Sequence, residues 1–227
     1  MKHFKNGFTL VLAVVITSSI LYLAISNPVR QNHAAGLERS LELNKKAVRY
    51  IQEGKHDEAY PLLQESLALN CLNPVTHVHL GFVYLEQGDY QQAYEYFVHS
   101  FNLGGLSPEV TYELAELLLR SGHYKEAVFY LRDGIKEFPE EKELSLQLGK
   151  AYCLAGDHDR SLKVLSELVE NEEMNDAYKY MGLSHYARGE EEEAEKNYHL
   201  YLESIGIPAV GSISELHSLV WEDEDNG

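Results

Sequence analysis

The sequence predicts an all-α chain: a solenoid of stacked helix pairs, preceded by one apolar N-terminal helix. Three observations carry that prediction. A small residue recurs at Ala47, Gly81, Ala115, Gly149 and Gly182, at spacings of 34, 34, 34 and 33 residues. Seven residues after each stands a glycine: Gly54, Gly88, Gly122, Gly156 and Gly189. An uncharged run extends from Phe8 to Ile25. A fixed period of a few tens of residues marks repeat architectures, in which each unit buries its apolar face only against its neighbours.

The N-terminal run comes first in the chain. Its 18 residues would make a helix of about 27 Å, close to the roughly 30 Å of a bilayer's hydrocarbon core. Lys2, His3 and Lys5 precede it, and Asn27-Pro28 ends it. Residues 1–26 are therefore expected to be a signal anchor, with the N-terminus cytoplasmic and the repeats on the outer side. The alternative is a signal peptide cut near Ser26, after which the body is exported and soluble. Residues 27–39 read as a linker leading into the first helix.

Within the repeats each slot has a physical reading. The small anchor is where two helices cross closely, and the residue twelve later (Ala59, Ala93, Ala127, Ser161 or Ala194) is expected to meet it. Sixteen residues after the anchor comes a large apolar residue: Leu63, Phe97, Leu131, Leu165 or Tyr198. The glycine seven residues on is where the first helix stops and the chain reverses, which favours φ > 0. Each unit is thus helix, short turn, helix, with boundaries at 40–73, 74–107, 108–141, 142–174 and 175–208. Ser212-Ile213-Ser214-Glu215 reads as a capping box. It opens a helix within 209–222 in which Ile213, Leu216, Leu219, Val220 and Trp221 cover the last unit. An acidic tail, 223–227, follows.

Charge narrows the function. The chain has 227 residues and a net charge of −17. All 36 carboxylates and all but three of the 19 Lys and Arg lie beyond residue 30, so the body carries −20. Such a body is a poor match for nucleic acid or an anionic lipid surface, which need a cationic footprint. Two cysteines, Cys71 and Cys153, separated by more than two units, predict two thiols rather than a disulfide. His77 and His79 stand two apart on a helix and cannot share an ion, and His56 and His158 occupy a packing slot. No phosphate loop, nucleophile elbow or Ser-His-Asp order is present. The expectation is a non-catalytic protein with no cofactor and no metal.

The repeat pattern over 40–208 resembles the tetratricopeptide repeat family. The resemblance implies a right-handed solenoid whose first helices line a concave groove that binds a peptide or protein. The groove residues it implies are Val78, Phe82, Leu85 and Glu86 in the second unit. The third offers Glu109, Tyr112, Glu116 and Leu119. The fourth offers Glu143, Leu146 and Lys150, and the fifth Asp176, Lys179 and Leu183. Members that clamp chaperone carboxylate tails use Lys and Asn, then Asn, then Lys and Arg, on three successive units. Here those slots hold Asn44, Val48, His79, Glu109 and Glu113, or similarly acidic sets, so that role is disfavoured by like charge. No Lys or Arg occurs from His56 to Leu119. The expected partner is therefore a segment with apolar anchors and basic flanks, held by a membrane-tethered scaffold or adaptor. The alternative is a structural, self-assembling component of an envelope, secretion or pilus-type complex.

Overall fold

The computed structural model describes residues 31–169 and 174–225, with side chains to 221. Eleven helices and no strands are present among them. Helix α1 covers 31–52. Then follow α2 (His56–Leu69), α3 (Pro74–Glu86), α4 (Tyr90–Asn102), α5 (Pro108–Arg120) and α6 (Tyr124–Glu137). The remainder are α7 (Lys142–Leu154), α8 (His158–Val169), α9 (Asn175–Ala187), α10 (Glu191–Ser204) and α11 (Ile213–Asp225). The run Phe8–Ile25 lies outside the described residues. No helix among those described is long and apolar enough to cross a membrane.

Two expectations at the chain ends change. Residues 31–39 are the first turns of α1, so the stretch read as a linker leading into the first helix is largely part of that helix. Similarly, α11 runs to Asp225 and takes in most of the stretch read as a tail.

The chain divides into two compact units between Leu103 and Gly104, with α1–α4 in the first and α5–α11 in the second. In the first, α3 packs on α2 and α4. Its core joins Ala47, Ala59, Leu63, Leu80 and Val83. Beside it a buried polar cluster ties α1 to its neighbours: the Asn44 side-chain amide donates to Ser66 Oγ at 2.6 Å and Thr76 Oγ1 at 2.8 Å. Asn44 is thereby a packing residue of this unit.

In the second unit α5, α7 and α9 stand side by side, with α6, α8 and α10 behind them, and α11 lies on α10 and α9. Pro108 opens α5 at a position where the missing N–H costs nothing, and Ser107 Oγ accepts from Val110 N–H at 3.2 Å. Gly156 ends α7 at φ +78°. Two bonds close that turn: Gly156 N–H to Cys153 O at 3.0 Å and Asp157 N–H to Tyr152 O at 2.9 Å. This is the left-handed C-terminal motif expected of the turn glycine.

The close crossing differs in one detail from the slot reading. A Cβ on Gly81 would stand 2.6 Å from Phe97 Cε1, and one on Gly182 would stand 2.5 Å from Tyr198 Cδ1. The anchor is small because the large residue sixteen later lies directly on it. In the fourth unit the residue twelve later bonds the anchor's backbone: Ser161 Oγ donates to Gly149 O at 2.9 Å.

The last helix buries Leu216 and Val220 completely, in a cluster with Tyr198, Tyr201 and Leu202. The Glu215 carboxylate accepts from Ser212 N–H at 2.7 Å, which closes the capping box and holds its pKa below the usual range. Leu219 and Trp221, expected in the same contact, remain 38% and 44% exposed. His217 takes that place. Its ring stacks on Tyr186 at 4.0 Å, and its Nδ1 lies 2.7 Å from the Tyr198 hydroxyl. Burial raises the pKa of Tyr198, so its hydroxyl stays protonated. Burial also lowers the pKa of His217. A depressed folded-state pKa contributes stability above the ordinary histidine value of 6.5 that is lost as pH falls through the depressed value. Thermal melts at about pH 7.5 and about pH 5 should show a smaller acid loss in His217→Phe than in the natural chain. Equal losses would show that this ring does not titrate with folding.

Candidate functional site: the first-helix faces

In the second unit the wall formed by α5, α7 and α9 carries charge on an aromatic base. Glu116 reaches across to α7, where its Oε1 lies 3.8 Å from Lys150 Nζ, and its Oε2 lies 3.7 Å from Arg120 Nε. Lys150 Nζ stands 5.7 Å from the ring centre of Tyr180 on α9, within cation–π range. Both members of the Glu116–Lys150 pair are about four-fifths buried, at 18% and 19% exposure, so salt screens their attraction less than it does that of an exposed pair. Tyr112 leans on the same wall. Burial and then the Glu116 and Glu113 carboxylates raise its pKa, opposed by a hydrogen bond from the Gln147 side chain. Its hydroxyl stays protonated at neutral pH.

Where α5 and α7 begin, this wall opens into a cleft of about 280 Å³. Pro108, Tyr112 and Leu144 give it an apolar lining, and Glu109, Glu113, Glu141 and Glu143 supply four carboxylates. The lining contains no Lys or Arg.

In the first unit the corresponding face is apolar. Leu41 on α1 and Val75 on α3 are 55% and 49% exposed. Val78, Phe82 and Leu85 are half-buried along α3, and Glu86 is exposed at its end. The Phe82 ring stands edge-on to Phe97 at 5.2 Å, which fixes its position while leaving part of it open.

A family model described as Tetratricopeptide repeat matches residues 50–99, 84–137 and 118–182, together more than half of the chain. The chain belongs to the tetratricopeptide repeat family. Solved tetratricopeptide structures share its fold. YrrB, described as having an unusual peptide-binding site, aligns with TM-score 0.70 at 18% identity over 83% of this chain and 93% of its own. MamA aligns at 0.65 and 22% identity over 73% and 91%. PilW, described as a type IV pilus biogenesis factor, aligns at 0.57 and 15% identity over 74% and 79%. No curated protein sequence matches this chain.

Three of the groove residues implied by the tetratricopeptide pattern do not face solvent. Leu119 and Leu183 are 5% and 4% exposed. Leu183 belongs to the core cluster that α11 completes. Lys179 is 5% exposed, its ammonium 5.8 Å from the Tyr180 ring and 5.6 Å from that of Tyr201. It is a packing residue whose charge sits against two ring faces. Glu109, Glu143 and Asp176 are exposed, while Tyr112, Glu116, Leu146 and Lys150 are partly accessible. Glu141 lines the cleft yet went unrecognised, because it precedes α7 and first-helix slots alone do not include it. Among the described residues no group of three or more His, Cys, Asp and Glu is placed to hold a metal ion. Cys71 is exposed and Cys153 buried, and both are thiols.

Proposed function

We propose that this tetratricopeptide chain is a non-catalytic interaction scaffold whose first-helix faces hold a segment of a partner protein. The observation that carries the proposal is the cleft at the start of α5 and α7, where four carboxylates surround Tyr112 and Leu144. A lysine or arginine of the partner fits there: its hydrocarbon stem lies along the apolar lining and its charge meets the carboxylates. The acids supply steering and selectivity, and apolar anchors supply affinity. The first unit, taken by itself, offers an apolar row for a partner: Val75, Val78, Phe82 and Leu85 on α3. The uncharged run Phe8–Ile25 supports tethering of the scaffold to a membrane, with the repeats on its outer side.

A labelled peptide of alternating lysine and leucine, titrated against the full chain, tests the cleft. Glu109→Lys with Glu143→Lys should weaken binding at least about tenfold, a loss of roughly 1.4 kcal/mol or more. Undiminished binding by this variant would remove the cleft from the account.

A further inference from the structure

The second unit carries another cleft, away from the first-helix wall, on the edge where turns join the helices. Its volume is about 580 Å³, within the range of ligand-binding sites. Lys125 from α6, Tyr152 from the end of α7, Gly156 in the turn and Arg160 from α8 line it, together with Arg188 just beyond α9. Three cations from three different repeats thus meet in a chain of net charge −17.

The two guanidinium groups are held in place. Arg160 Nη1 donates to Asp157 Oδ2 at 2.9 Å, and the guanidinium lies 5.8 Å from the ring centre of Tyr152. Arg188 donates through Nη1 to Asp159 at 2.7 Å and through Nη2 to Glu190 at 2.7 Å. A guanidinium has five N–H donors, so these bonds fix each group and leave donors for a further acceptor. Lys125 is exposed and forms no ion pair among the described residues. Beside the cations, Val128 and Ala155 add apolar surface. Asp157 and Asp159 also line the cleft. They oppose a doubly charged phosphate more than a singly charged carboxylate.

We infer that this cleft is a docking site for an acidic segment of a partner protein. A glutamate or aspartate sits among Lys125, Arg160 and Arg188, and an adjacent apolar side chain rests on Val128 and Ala155. The cleft shares no lining residue with the acidic cleft at α5 and α7, so this inference stands apart from the scaffold reading and can fail without it.

The test uses the full chain and a labelled peptide of alternating glutamate and leucine, followed by fluorescence anisotropy at low salt. Binding is expected. Lys125→Glu, an exposed change outside the core, should weaken it several-fold, and Lys125→Glu with Arg160→Glu at least about tenfold. Glu109→Lys with Glu143→Lys should retain it. No binding, or binding that Lys125→Glu leaves unchanged, would overturn the inference. So would displacement of the peptide by sub-millimolar inorganic phosphate, which would make the cleft a small-anion site.

Discussion

Leu165→Ala and Gly149→Ala should each destabilise the second unit, by about 2–5 and about 1–3 kcal/mol respectively, while the double variant loses clearly less than their sum. Leu165 is fully buried, so its truncation leaves a cavity. A Cβ on Gly149 would run into Leu165 Cδ2 and Cγ, so the added methyl forces that side chain aside. With both changes the methyl enters the space that the leucine vacated. Urea denaturation of the four forms measures the coupling. Additivity within about 0.5 kcal/mol would show that the two sites are independent and that the anchor is small for another reason.

Removal of α11 by truncation after Gly211 should have an effect at least as large. Leu216 and Val220 are both fully buried. At about 1.5–3 kcal/mol for each buried side chain, the helix contributes roughly 3–6 kcal/mol. The truncation also uncovers Tyr198, Tyr201 and Leu202, now fully or almost fully buried in the same cluster. The truncated chain should therefore melt earlier and associate in a concentration-dependent way, as read by sedimentation. Trp221→Ala, at a side chain 44% exposed, should change little. A truncated chain that melts unchanged and stays monomeric would show that α11 is not a cover.

The parts of this architecture that depend on local rules were legible in the sequence. Gly156 marked the end of α7 because the turn needs φ > 0, and Ser212 with Glu215 marked the start of α11. What three-dimensional packing decides was less so. The period placed Gly149 opposite Ser161, yet the atom that limits its size belongs to Leu165, because the long side chain sixteen residues on folds back over the anchor. Lys179 occupies a slot that reads as surface. Its exposure depends on Tyr180 and Tyr201, and the second of these lies on another helix. Nothing in the spacing singles out His217, since its partners Tyr186 and Tyr198 come from other helices. The division at Leu103 and Gly104 leaves no trace in the spacing, which holds at 34 residues from Gly81 to Ala115. The acidic cleft was legible in part. Its exposed acids Glu109 and Glu143 occupy first-helix slots, whereas Glu141 stands just before α7 begins.

The proposed function depends on the cleft at α5 and α7 acting as a receptor for a basic side chain. Its most direct measurement is the affinity of the full chain for the lysine–leucine peptide across a range of salt, in the natural form and in Glu109→Lys with Glu143→Lys. With that role, binding should be tight at low salt and weaken steeply as charges are screened, and the variant should show both low affinity and a flat salt response. Equal affinity and equal salt dependence in the two forms would contradict it.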